Sequence, residues 1–316
     1  MTKDSRRKPS LPKSRRGMAQ NLTNNRFKKV HASSASLLFS TPALAWYAFF
    51  TILPLINLFY LSMSDWGSLV SEQRFVGLEQ YQRVLADGLF WTSAFHTVVQ
   101  LSIAVPVMLF LGLMLAYYLT LNLPGVNLLR VLCFTPALMS ISAKSMMFLG
   151  VLSPDGILNY ALRSIGLEAF TTAWLANEKT SLGVIIAIDI WSGIGFTAVL
   201  LAVRLSGIPK EILEAATLDG AGHWRKIWEM SFPIMKDYFG GLFMLQFIWI
   251  ASNSAAVILL LTNGGPGTSS YTLGYLIFAK AFTQQSVGYS QVAAVSLFFL
   301  GLAGMLVIRR IFRSVT

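Results

Sequence analysis

Apolar residues fall along this chain in long blocks separated by short polar intervals. Six blocks stand out, at residues 37–62, 91–119, 131–152, 181–202, 238–262 and 287–308. Each is long enough for the roughly 20 apolar residues that carry a helix across ~30 Å of hydrocarbon. In lipid every backbone N–H and C=O must find its partner inside the protein, and a helix does this within one segment. The pattern therefore predicts an all-α membrane protein with six transmembrane helices. None of the polar intervals is long enough for a separate soluble domain. The first block is too long for the apolar core of a signal peptide, and no small-residue cleavage site follows it, so it is expected to stay as the first span.

The intervals also set the orientation. Those at 1–36, 120–130, 203–237 and 309–316 carry 19 Lys and Arg, against 5 in those at 63–90, 153–180 and 263–286. This asymmetry predicts that both termini and the 203–237 loop are cytoplasmic. Trp66, Trp91 and Trp174, near the ends of blocks, suit an interfacial aromatic belt. Composition agrees: 54% of the 316 residues are hydrophobic and 12% are charged, about half the charged share of a soluble domain. An ordinary soluble enzyme is excluded on this ground.

Residues 1–36 hold ten Lys and Arg and one acid, Asp4. Because apolar sequence follows at once, they are expected to form a disordered basic tail that fixes topology and touches anionic membrane lipid, not a nucleic-acid arm. One cysteine, Cys133, leaves no intrachain disulfide, and His31, His96 and His223 are scattered without metal-ligand spacing. Lys13, Lys144 and Lys179 precede Ser or Thr but lack the glycine of a phosphate-binding loop. ATP hydrolysis is not expected of this chain, no nucleophile–base constellation is visible, and no bound cofactor or metal is predicted.

The 203–237 loop balances five basic residues with five acids, which suits a structured element more than a simple tether. Pro209 sits where a helix begins, residues 210–219 are good helix formers, and Gly220 and Gly222 end that helix in a turn. A second helix, about 223–231, then runs to Pro233. Ile212, Ala215, Ala216 and Leu218 give the first helix a small apolar face. So short a helix is marginal alone in water and needs a partner surface.

Glu214-Ala215-Ala216, three residues, Gly220, nine residues and Met230-x-Phe232-Pro233 resembles the EAA loop of ABC importer permeases, E-A-A-x3-G-x9-I-x-L-P. Met230 stands for Ile and Phe232 for Leu. Ile208-Pro209 and the Asp219-Gly220-Ala221 run are also similar to that family. Leu261-Thr262-Asn263-Gly264-Gly265-Pro266-Gly267, after the fifth block, resembles its carbohydrate branch, the maltose-type and glycerol-phosphate-type permeases. The resemblance covers roughly residues 37–313.

It implies a chain of a bacterial inner (plasma) membrane that forms half of a translocation pathway. A second homologous permease would form the other half. Two copies of an ABC ATPase, which hold the ATP and Mg, would dock on the EAA loops, and an extracytoplasmic sugar-binding protein would deliver a di- or oligosaccharide. Glu214 would make the polar contact with the ATPase and Ala215 and Ala216 would pack into its cleft. Gly220, next to Asp219, would permit the turn, and Pro233 would set the exit into the fifth span.

Polar residues inside the blocks are the pathway candidates. Lys144 and Asp189 either pair and hold two helices together or line the pathway. Asp189, Ser192, Gly193 and Phe196 share one helical face, and their acid, hydroxyl, open patch and ring suit a sugar. The corresponding segment of maltose-type permeases lines the sugar site, which carries over at Gly193 and more loosely at Phe196. Gln246, Trp249, Asn253 and Ser254 are the candidates in the fifth block; the family's sugar-contacting stretch contains Asn253 and Ser254. The plainer role for each is an interhelix hydrogen bond worth about 1 kcal/mol. His96, Gln100 and Cys133 are assigned to packing or helix contacts. An anionic substrate, glycerol phosphate or a sugar phosphate, is the alternative that Lys144 favours. An ATP-independent channel or secondary transporter is a remoter one.

Overall fold

The computed structural model describes residues 34–68, 70–121 and 123–312. Most of the basic tail lies outside the described residues, as does Arg313. The described chain divides into two units, one ending at Ile56 and the other beginning at Asn57.

In the first unit, helix α1 (Ser34–Tyr47) runs into a widened π turn at Ala48–Ile52. The Leu53 N–H reaches back five residues to the Ala48 carbonyl. Pro54, which has no N–H to give, follows at once, and such a loss is commonly absorbed by a wider turn. Trp46 and Phe50 pack with ring centroids 4.3 Å apart. Helix α2 (Leu53–Leu61) continues the chain. The apolar run Phe39–Leu61 is 23 residues long, enough for a span.

In the second unit, β1 (Ser64–Asp65) and β2 (Arg74–Phe75) form a two-residue antiparallel ladder with Ser64 opposite Phe75. Helix α3 (Glu79–Leu85) follows. Arg83 bridges Asp65 and Glu79 at 3.2 and 2.6 Å, and these carboxylates, Glu79 first, hold its guanidinium pKa above the usual value. Four long helices and a bent pair make up the rest: α4 (Gly88–Leu119), the pair α5 (Val126–Leu138) and α6 (Ile141–Val151), α8 (Ser181–Ser206), α12 (Lys236–Leu261) and α14 (Val287–Phe312). Between them lie α7 (Ile157–Ser164), α9 (Lys210–Leu218), α10 (His223–Arg225), α11 (Phe232–Ile234) and α13 (Leu273–Phe278).

The core sits between α4 and α8. Leu101, Val105, Met108, Leu109 and Leu113 of α4 are buried against Ala198, Leu201 and Leu205 of α8. Glycines let the backbones approach, as small residues do between membrane helices. A Cβ on Gly112 would meet Thr197, one on Gly193 would meet Met108, and one on Gly195 would run into the Cys133 backbone carbonyl of α5.

One expectation needs correction. The third block, 131–152, is not one straight helix: α5 and α6 are bent by 103°. Pro136 lies inside α5, Met139 and Ser140 are extended, and Ser140 Oγ caps α6 by accepting the Ala143 N–H at 3.1 Å. The proline and the capping serine give the break its cause. The interval between the fifth and sixth blocks, 263–286, also holds a helix that the block pattern does not mark. It carries α13 and a π turn at Ala279–Thr283. Leu273 and Leu276 of this segment are buried with Val84, Phe90 and Val292. At 11 residues, Leu273–Thr283 is too short to span and escapes a count of spans. The hairpin closes the start of α14, whose Val287 and Gly288 N–H groups donate to the Gly67 and Trp66 carbonyls at 3.0 and 2.9 Å.

The contact at Gly195 yields a stability prediction. Gly195→Ala should lower stability by about 1–3 kcal/mol through overpacking. Gly183→Ala, in the same helix with open space around it, should be neutral or stabilising. Thermal unfolding of the two variants in detergent checks this; equal midpoints would contradict the packing assignment.

Candidate functional site

Two places gather the candidate residues. The first is a pair of cavities between α6, α8 and α12, which share Lys144, Ser192, Gly193 and Trp249 in their walls. The larger, about 240 Å³, adds Phe196 and Gln246; the smaller adds Asp189 and Asn253. Eight of the nine expected pathway residues therefore meet there. Ser254 does not: it is buried behind the cavities. The spacing explains the convergence. Residues 189, 192, 193 and 196 lie on one stripe of α8, and 246, 249 and 253 on one stripe of α12. The break between α5 and α6 opens to the same place, because Ala137 just before it and Ile141 and Lys144 just after it line these walls. Non-helical backbone at membrane depth is tolerated where it faces a cavity or is buried in protein.

Hydrogen bonds fix the polar wall. Gln100 Nε2 donates to Asp189 Oδ2 at 2.7 Å, and Ser254 Oγ donates to Gln100 Oε1 at 3.2 Å. Ser254 Oγ also lies 2.7 Å from Thr272 Oγ1. A hydroxyl has one proton, so with Ser254 donating to Gln100, Thr272 donates to Ser254. The donors run from Thr272, whose Oγ1 caps α13, through Ser254 and Gln100 to the Asp189 carboxylate. Gln246 Nε2 donates to Thr197 Oγ1 at 2.7 Å, and Asn253 Nδ2 to the Trp249 carbonyl at 2.9 Å. Phe196 stacks on Phe134 of α5, centroids 6.5 Å apart. Among the described residues Lys144 and Asp189 form no ion pair; both line the smaller cavity instead.

Gln100 is the residue that sequence reasoning undervalued. Expected to serve packing or helix contacts, it makes helix contacts that matter to the site: it joins α4 to α8 and α12 and orients Asp189. Another cavity, about 540 Å³, has apolar walls including Leu158, Trp174 and Trp191, and holds none of the candidates.

The second place is α9 and its turn. Gly220 has a φ of +74°, and the Gly220 and Ala221 N–H groups donate to the Thr217 and Ala216 carbonyls at 3.0 and 2.8 Å. This is a Schellman cap, in which a left-handed glycine satisfies the last carbonyls of a helix while an apolar pair closes beneath it. That pair is Ala216 and Ala221, both buried. The expectation that both alanines pack into a partner is thereby divided: Ala216 is turned into its own fold, while Ala215, Glu214 and Asp219 are exposed with Leu218, which is 90% exposed. The second helix is α10, a π turn at Lys226–Ser231, and α11. The widened turn precedes Pro233 as that in the first unit precedes Pro54. The chain breaks at Met235, two residues past Pro233, before α12 begins.

The class these features define is a multi-pass membrane transport protein, with a cavity walled by its spans and an exposed helical loop at one end of them. Comparison with known proteins makes the class specific. The family described as "Binding-protein-dependent transport system inner membrane component" matches residues 84–316, and the chain belongs to that family. The match contains α9 and both cavities, and as a permease subunit the chain is not itself catalytic. The chain is 30% identical over 286 residues to the probable ABC transporter permease protein YurN of Bacillus subtilis, covering 88% of this chain and 95% of that one. It is 30% identical over 278 residues to the diacetylchitobiose uptake system permease protein NgcF of Streptomyces coelicolor, covering 82% and 78%. The trehalose/maltose transport system permease protein MalF of Thermococcus litoralis is 30% identical over 261 residues, covering 81% and 87%. A solved bacterial ABC transporter involved in the import of the acidic polysaccharide alginate contains a chain of the same fold, with a TM-score of 0.74 at 17% identity over 95% of this chain and 99% of that one.

The Schellman cap gives a local prediction. Gly220→Ala forces a left-handed alanine, which costs about 1–2 kcal/mol, and should speed hydrogen exchange across residues 210–221. Gly222→Ala, at an ordinary φ of −70° in open space, should leave exchange unchanged. Equal exchange in the two variants would remove the cap from the account.

Proposed function

We propose that this chain is the membrane-spanning permease subunit of an ATP-driven importer and forms half of the pathway for a di- or oligosaccharide. The observation that carries the reading is the composition of the cavity walls. Trp249 and Phe196 offer rings on which the apolar face of a sugar can stack, while Asp189, Ser192, Gln246 and Asn253 offer groups for its hydroxyls. The relatives named for diacetylchitobiose and for trehalose and maltose support the same substrate class. A cavity of about 240 Å³ is smaller than the roughly 300–1,000 Å³ of a complete small-molecule site. A facing surface from a second, homologous permease would supply the remainder.

In this reading two ABC ATPase subunits hold the ATP and Mg and dock on α9 from the cytoplasm, where both termini also lie. An extracytoplasmic binding protein delivers the sugar; one solved relative of this fold was crystallised with such a protein carrying an alginate pentasaccharide. Glu214 and Ala215 meet the ATPase, Gly220 shapes the turn, and the break at Met235 beyond Pro233 lets α9 move with the ATPase and pass that motion to α12. A second reading, an anionic sugar such as a sugar phosphate, is favoured by Lys144, which lines both cavities without an ion-pair partner among the described residues.

Uptake of labelled oligosaccharides by the reconstituted importer tests the reading. Glu214→Ala and Gly220→Pro should abolish ATP-driven uptake while membrane insertion stays normal. Trp249→Ala should raise KM about tenfold, the equivalent of ~1.4 kcal/mol of lost stacking and burial. Normal uptake by both loop variants would refute the coupling role, and an unchanged KM would remove Trp249 from the pathway.

A further inference from the structure

A further cavity, of about 460 Å³, lies between α9 and the ends of α4 and α8, bounded by Leu119, Leu205 and Ser206. Arg130, Lys210 and Lys226 line it, with Glu214 as the one acid in its wall. Among the described residues none of these four forms an ion pair. His223 also lines it, but its Nδ1 is engaged with the Tyr117 hydroxyl at 2.9 Å. A second observation is independent of the charges. Ser231 lines the same cavity, is 1% exposed, and its Oγ is buried without a hydrogen-bond partner. A buried hydroxyl left without a partner is destabilising, and a ligand with acceptor oxygens would satisfy it.

We propose that this cavity binds a phosphate group with net negative charge, held by Arg130 and Lys226 and by a hydrogen bond from the Ser231 hydroxyl. Three cations against one carboxylate leave the wall positive, and a guanidinium with an ammonium is a phosphate-binding pair. The position favours a lipid source. Leu119 and Ser206 are the last residues of two spans, which is the depth at which headgroups lie. An anionic lipid there would pin α9 to the ends of α4 and α8 while leaving its outward face, with Ala215 and Leu218, free. The proposal is independent of which solute the importer carries.

The test uses the full chain purified in mild detergent, with phosphatidylglycerol, phosphatidylcholine and inorganic phosphate as probes. Native mass spectrometry reads lipid retention and calorimetry reads phosphate. The wild type should retain phosphatidylglycerol over phosphatidylcholine. Arg130→Gln/Lys226→Gln should lose that retention at least about tenfold, while Arg309→Gln/Arg310→Gln, whose charges lie outside the cavity, should keep it. Binding of inorganic phosphate, lost in the first variant, with no retained phosphatidylglycerol, would uphold the site and assign it a soluble ligand. Should that variant not fold, Ser231→Ala, which removes only an unpartnered hydroxyl, should weaken the same binding about threefold or more. Lipid retention and phosphate binding that are the same in the wild type and in the folded cavity variants would overturn the proposal.

Discussion

The arrangement around the two cavities between α6, α8 and α12 rests on one buried amide. Gln100 has a donor end and an acceptor end, and in a membrane interior each must be met by the protein. The Asp189 carboxylate takes the first and the Ser254 hydroxyl the second. This fixes the rotation of α8 and α12 against α4, and with it the stripes of both helices that face the cavities. The direction of donors, from the cap of α13 toward Asp189, also ties the short helix to the polar wall. An apolar residue at 100 would leave Asp189 and Ser254 each short of a partner.

Departures from straight helix have local causes. Pro54, Pro136 and Pro233 each lie at or close to a widened turn or a break. A π turn takes up the lost donor in the first and third cases; in the second, α5 runs on past Pro136 and breaks at Met139 and Ser140. Only the break at residues 139 and 140 opens onto the cavities, where it places Ala137, Ile141 and Lys144 in their walls. In the 203–237 loop, the cap at Gly220 turns the chain from α9 toward α10 and buries Ala216, so the outward face is presented by Ala215 and Leu218, while Glu214 lines the cavity on the other side of the helix.

Much of this was legible in the sequence, because the signals were strong and local. Apolar blocks of span length, the stripe at 189–196, and the glycine that ends α9 follow from composition and helical spacing. The bend in the third span was less legible. Pro136 and Ser140 lie in so apolar a stretch that length outweighed punctuation. Helix α13 was missed because it is buried yet too short to span. The role of Gln100 depends on partners 89 and 154 residues away, which no local pattern reports. The loop motif located the helix and its glycine turn but not which way its residues face. That Ala216 faces inward follows from its place as the third-last residue of the helix, where a Schellman cap buries its apolar pair.

The central claim is that this chain works as one half of a pathway driven by ATPase subunits held on α9. Gentle purification of the tagged chain from its native cell, with mass spectrometry of what accompanies it, tests this most directly. The account predicts a second multi-span permease together with an ABC ATPase. A chain recovered alone or as a homo-oligomer in several detergents, with no ATPase in any of them, would contradict it.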